Sequence, residues 1–300
     1  MRGRAGEVAL KVGVVLPQFR ESAAAALKVA LEAEANGLDG VFVYDHLWMP
    51  GVPGTPALSS FPLLGAVAAV TKKLHLGPLV ARIGLVPDRV LVEEMGTLAW
   101  IAPGRVVAGL GAGDSTGEAE QRAHGIAIMD WNGRLRSLAK CSRELAALGI
   151  PVWIGTRSAR TVEKARSLGA AVNLWKASPA QVREVAASGE VTWAGPVGRE
   201  PGAVRRVLDS IQGAGATWAV LLRSDDRYRG RGAGASVAGG AGDRDAGAAG
   251  TAGTAGAAGT AGAAGLPEDP GAGAATAGSG VLADDLRFVA EVADVLRGGS

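Results

Sequence analysis

Three kinds of chemistry are short of raw material in this sequence. There is one cysteine, Cys141, so a disulfide framework or a cysteine-built zinc site within the chain is excluded. There are three histidines, His46, His75 and His124. No HxH or HExxH spacing joins any two of them, so no metal centre is expected. Charge of one sign is lacking too. The 31 basic residues stand against 29 acidic ones, with no basic stripe interleaved with aromatics, which argues against a nucleic-acid partner. The opening run ALKVGVVLP (9–17) is too short for a membrane span. It leads into Pro17-Gln18 without a small-residue cleavage site and reads as a first strand. No GxSxG elbow or SxxK pair is present, so nucleophilic hydrolysis has little support. A cytoplasmic protein that acts on a small molecule, away from membranes and nucleic acid, fits these absences.

Glycine, by contrast, is in excess, with 46 residues unevenly placed. From 229 to 280 the chain is nearly all Gly, Ala, Thr and Ser, as in TAGTAGAAGTAGAAG (251–265). Glycine recurs there at every third position, but the prolines of a collagen array are missing. With no large apolar residue before Leu266, the tract cannot offset the entropy of ordering. It is expected to be a disordered insertion, leaving one domain over 8–228 and 281–298. Without the tract the chain is about 250 residues, a common size for a (β/α)8 barrel.

The rest alternates short apolar runs with longer helical stretches. Strands are expected at 9–17, 40–46, 74–80, 105–113, 151–156, 170–176, 191–195 and 217–223. Helices are expected at 21–37, 59–73, around 89–101, near 131–148, near 160–168, 179–187 and 201–213, and at 284–297. Eight strands each followed by a helix imply a parallel sheet with crossover helices. The count and length favour closure into an α/β TIM barrel. In a barrel the residues just past the strand C-termini converge on one mouth. Asp45, His46, Arg82, Gly113, Asp114, Gly155, Thr156, Arg157 and Arg223 are therefore expected to share it.

Within that set, Asp45-His46 puts an acceptor beside a group that titrates near neutrality, the pairing that acid–base work requires. GLGAGDSTGE (109–118) lacks a Walker lysine and the third glycine of a dinucleotide fingerprint. Its glycines are expected to let a flat ring approach the backbone. In IGTRSARTVEKA (154–165) a strand runs into a helix start, where free N–H groups, Arg157 and two hydroxyls make an anion site. Ser158 there can equally be a plain helix cap. Cys141 falls among leucines on a helix and reads as core. His75 reads as a strand residue. Trp48, just past His46, is the tryptophan expected against a bound ring.

Taken in order, LPQF (16–19), EAEANGLDGVFVYDHLW (32–48), AAVTKKLHLGPLV (68–80), TLAWIAPGRVVAGLGAGD (97–114) and IPVWIGTRSARTVEKARSLGAAVNLW (150–175) resemble the luciferase-like monooxygenase superfamily. They look most like its oxidoreductases that use the deazaflavin coenzyme F-420. The resemblance implies a luciferase-like (β/α)8 barrel and a homodimer, although the sequence itself marks no interface. It implies that Asp45 contacts the deazaflavin head group and that His46 lies beside the reactive carbon. It places a non-proline cis peptide at Leu79–Val80, and Ala112, Gly113 and Asp114 along the ring and ribityl chain. Gly155 and Thr156 match a glycine pair at the cofactor phosphate. Asp114 stands where the family's sugar-phosphate dehydrogenases carry a catalytic glutamate, which puts that activity in doubt. Three functions follow: hydride transfer between F-420 and a small organic substrate, an FMN-dependent monooxygenase, or a non-catalytic flavin-binding or scaffolding barrel.

Overall fold

Strand-length apolar runs that are buried on both faces can only pair side by side under a layer of helices. The computed structural model, which describes residues 9–198, 200, 202–223 and 274–298, resolves them into such a sheet. The elements run β1 (Lys11–Val15), α1 (Ala24–Ala35), β2 (Gly40–Val43), α2 (Ser60–Val70), β3 (His75–Pro78), β4 (Ala81–Arg82) and α3 (Asp88–Ile101). Then come β5 (Ala108–Gly111), α4 (Ser115–Ala123), α5 (Trp131–Ala147), β6 (Val152–Gly155), α6 (Ala159–Ser167), β7 (Ala171–Trp175) and α7 (Pro179–Ala186). The series ends with β8 (Val191–Val197), α8 (Ala203–Gln212), β9 (Trp218–Arg223) and α9 (Ala274–Leu296). No described helix is long and apolar enough to cross a membrane.

The strand order is β3-β2-β1-β9-β8-β7-β6-β5-β4, and every pair is parallel. β3 and β4 are the two halves of the expected third strand, parted at the cis peptide Leu79–Val80. β4 pairs with β5 through Ala81 and Leu110. Below it Leu76 N–H donates to Arg105 O at 2.9 Å and Val107 N–H to Leu76 O at 3.0 Å. The sheet therefore closes into an eight-fold barrel whose third strand is broken. Two glycines allow that closure: a Cβ on Gly77 would collide with the Val107 carbonyl, and one on Gly109 with that of Pro78.

Large rings fill the barrel. Phe42, Trp153 and Trp218 lie with centroids 5.3–5.9 Å apart, among Val107, Ala194 and Val220. A second cluster, including Leu64, Met95, Leu138, Leu145 and Ile154, seals the helices onto the outside of the sheet. Cys141 is in this cluster, as its leucine neighbours imply.

Two elements differ from the sequence reading. α4 was expected as the tail of a glycine-rich strand end, yet Asp114 caps a nine-residue helix there, its side chain accepting from Gly117 N–H. The last helix begins at Ala274, so the final residues of the expected tract (274–280) are helical. The remainder of that tract, 229–273, lies outside the described residues.

Candidate active site

Strand ends β2, β4, β5, β6 and β7 open onto one cavity of ≈ 820 Å³ at the C-terminal face of the barrel. Of the residues expected at the mouth, Asp45, His46, Leu79, Val80, Arg82, Ala112, Gly113, Asp114, Gly155, Thr156, Arg157 and Arg223 all line it. Trp48 does not. It packs on His124, ring centroids 5.3 Å apart.

Behind His46 lies a residue the sequence reading missed. Glu120, fully buried on α4, sets its Oε1 2.5 Å from Nδ1 of His46. Its Oε2 accepts from Leu47 N–H at 2.9 Å and from Arg82 Nη2 at 2.7 Å. Burial pushes this carboxyl up, but the His46 and Leu47 hydrogen bonds and the nearby His46 and Arg82 charges outweigh it. The net direction is below the usual carboxylate range. A buried carboxylate with that many partners is satisfied rather than orphaned. Gly117 makes room for the arrangement, since a Cβ there would strike Nη1 of Arg82. The signal for α4 was in the sequence, with Asp114 as a cap and Gly125 at φ +69° after the last turn.

Two acids expected to serve ligand or substrate are engaged within the protein. Asp45 accepts from Ser60 Oγ at 2.8 Å and from Arg82 N–H at 2.9 Å, so both carboxylate oxygens hold β2, α2 and β4 together. Asp114 accepts from Gly117 N–H at 2.9 Å and caps α4. Arg82 likewise spends Nε on Asp45 O and Nη2 on Glu120. Two of its three guanidinium nitrogens are thus engaged within the protein, while Nη1 is buried in the cavity lining without a partner among the described residues.

The glycines of β5 and β6 make room for a neighbouring side chain. A Cβ on Gly111 would come within 2.5 Å of Val80 Cγ2, and one on Gly155 within 2.9 Å of Val80 Cγ1. These glycines admit the Val80 side chain, which follows the cis peptide. Val80 thus forms a ledge on one wall. The facing wall is aromatic. Phe19 stacks on Tyr44 at 5.8 Å, and Tyr44 meets His46 at 6.3 Å and Trp175 at 6.2 Å edge-on.

Cationic and donor groups collect at the β6–α6 and β7 ends. Ser158 is the N-cap residue of α6 but makes no side-chain capping bond; Thr156 Oγ1 accepts from Ser158 N–H at 3.0 Å. Arg157 Nε donates to Trp175 O at 3.1 Å. Lys176, at φ 55°, holds its ammonium 5.5 Å over the Trp175 ring and has no carboxylate partner among the described residues. A non-glycine residue at positive φ beside a cavity is a strained position of the kind that gathers at ligand sites.

Sequence and structure comparisons show what the chain is similar to. Residues 8–139 match the luciferase-like monooxygenase family. A curated relative, the F-420-dependent glucose-6-phosphate dehydrogenase of Beutenbergia cavernae, is 37% identical over 126 residues. That match takes in 42% of this chain and 35% of the relative, so the chain spans about a third of that protein's length. Among solved structures, an F-420-dependent secondary alcohol dehydrogenase in complex with an F-420–acetone adduct superposes with TM-score 0.60 at 14% identity. It covers 71% of this chain and 93% of that one. A monooxygenase, RslO1 from Streptomyces bottropensis, gives 0.58 at 16%, over 71% and 92%. Over residues 8–139 the chain is thus similar in sequence to the luciferase-like monooxygenase family, and the described barrel has the (β/α)8 fold of these solved structures.

Proposed function

We propose that the protein is an oxidoreductase that binds the deazaflavin coenzyme F-420 and exchanges hydride between it and a small organic substrate. The observation that carries this reading is His46. It stands just past the end of β2, fixed through Nδ1 and edge-on to the aromatic wall of a cavity that several strand ends share. The name of the curated relative favours F-420 over FMN.

The residues fit the group. A cavity of ≈ 820 Å³ is near the upper end of ligand-site volumes, about 300–1,000 Å³, enough for a three-ring head and a small substrate. Val80 offers an apolar ledge for one ring face. Ala112 and Gly113, the latter at φ +78°, run along the cavity edge. The uncapped start of α6 with Thr156, Arg157, Ser158 and Lys176 suits a phosphate, because free helix N–H groups and fixed cations both favour an anion. When bound, the deazaflavin supplies the carbon, C5, that gives or takes hydride. The protein contributes position and charge. Phe19, Tyr44 and Trp175 cover apolar parts of the substrate and exclude water, and His46 holds or moves the proton on its reacting heteroatom.

The test is a fluorescence titration of the purified protein with oxidised F-420 and with FMN, read on the tryptophans. Saturation by F-420 alone supports the proposal. Preference for FMN moves the protein to the monooxygenase reading, and binding of neither leaves a barrel without redox chemistry. Once a substrate is found, His46→Ala is expected to cut turnover by at least about 100-fold, with cofactor affinity little changed. Unchanged turnover would remove His46 from the mechanism.

A further inference from the structure

A histidine that moves a proton must present the right nitrogen in the right state, and something has to choose it. In this protein the choice is made 74 residues away in sequence. We propose that Glu120 is a positioning residue. It fixes neutral His46 as the Nδ1–H tautomer, so that Nε2 is the atom that takes a proton from the substrate or returns it. This rests on the reading of the cavity as a catalytic site, and it deepens that reading by naming the atom.

The argument is one of donors and acceptors. An ionised carboxylate only accepts hydrogen bonds. Glu120 is buried, and its Oε2 already receives two N–H donors, from Leu47 and from Arg82. These donors favour the ionised form and leave Oε1 to face Nδ1 of His46 at 2.5 Å. Nδ1 must then carry the hydrogen. The ring's other nitrogen, Nε2, has no hydrogen-bond partner among the described residues, and His46 lines the cavity. In neutral His46 the Nε2 lone pair is therefore the free base. When the substrate gives up its proton, the heteroatom–hydrogen bond breaks and an Nε2–H bond forms. The resulting imidazolium is held by the adjacent carboxylate. The reverse transfer uses the same two atoms.

Arg82 makes the device rigid. Its backbone N–H and Nε bind Asp45, the residue before His46, while Nη2 binds Glu120. The end of β2 and the middle of α4 are thereby locked to β4 at three points. A glutamine at 120 has one acceptor oxygen where the site offers three donors, so it cannot satisfy both the His46 side and the Arg82–Leu47 side.

The experiment begins with the cofactor-free protein, which separates this proposal from the identity of the cofactor. The imidazole nitrogens of His46 are assigned by 15N NMR of uniformly labelled protein, with His46→Gln to identify its signals. The expected result is that the ring, when neutral, keeps its hydrogen on Nδ1 and leaves Nε2 unprotonated; a neutral ring with its hydrogen on Nε2 would overturn the proposal. In Glu120→Gln the His46 signals are expected to become a mixture of tautomers. Turnover should then fall about 10–100-fold, the usual cost of losing an orienting partner, with KM for the cofactor unchanged. A Glu120→Gln protein that keeps the wild-type His46 signals and turnover would equally sink the idea. If that variant does not fold, the tautomer of the wild-type ring still decides.

Discussion

A side chain's chemistry depends on which of its polar atoms are already engaged. Asp45 and Asp114 read as reactive acids in the sequence, yet Ser60 and Arg82 engage both oxygens of Asp45, and Gly117 N–H in the first turn of α4 engages Oδ1 of Asp114. His46 keeps one nitrogen for the cavity. Cys141 shows the same logic by burial. It is wholly buried, and desolvation first, then the Asp88 and Glu144 charges, push its thiol up to about 12. Since the thiolate is the reactive form, iodoacetamide at about pH 8 should leave the native protein unlabelled and modify it only after denaturation. Prompt labelling of the native state would show that the helix opens or that the packing is wrong.

Among the elements, the turn from α2 into β3 depends on one carboxylate. Glu34 on α1 accepts from the backbone N–H groups of Lys72, Lys73 and Leu74 at 2.7, 2.6 and 3.3 Å. Burial raises its pKa, but the three N–H groups and Arg105 outweigh it, so the carboxyl lies below its ordinary value. A depressed carboxyl stabilises the fold fully above the unfolded value, about 4.3. That stability is lost as pH falls through the lower folded value. Glu34→Gln should therefore lower the thermal midpoint at pH 7, and the gap to wild type should shrink on acidification. A gap that stays constant down to acid pH would mean that the charge is not what matters. α4 is legible only through its caps. Its glycines drew the reading towards a strand end, although Asp114 and Gly125 bracketed a helix in which Glu120 carries much of the site's order.

For the molecule as a whole, the decisive feature is closure of the barrel past a broken third strand. Gly77 and Gly109 stand where β3 and β5 pass too close for any Cβ. Gly77→Ala should cost at least about 1–3 kcal/mol, the usual range for forcing extra volume into a packed interior. Gly65→Ala on α2, where a new Cβ would meet nothing within 4 Å, should instead gain up to about 1 kcal/mol. Denaturant melts of the two variants measure both. If they moved together, the crossing of β3 and β5 would not be the constraint described here.

The sequence by itself determined the barrel, because alternating apolar runs and amphipathic stretches dictate parallel strands under helices. It also determined which strand ends meet at the mouth, and through family resemblance the place of the cis peptide at Leu79–Val80. Only the tertiary structure decided which atoms those residues have left to use. Periodicity fixes the face an element turns to the core, but not the partner it meets there. That Glu120 reaches His46 across 74 residues, that Val80 fills the space beside Gly111 and Gly155, and that Trp48 turns to His124 are matters of packing between distant segments.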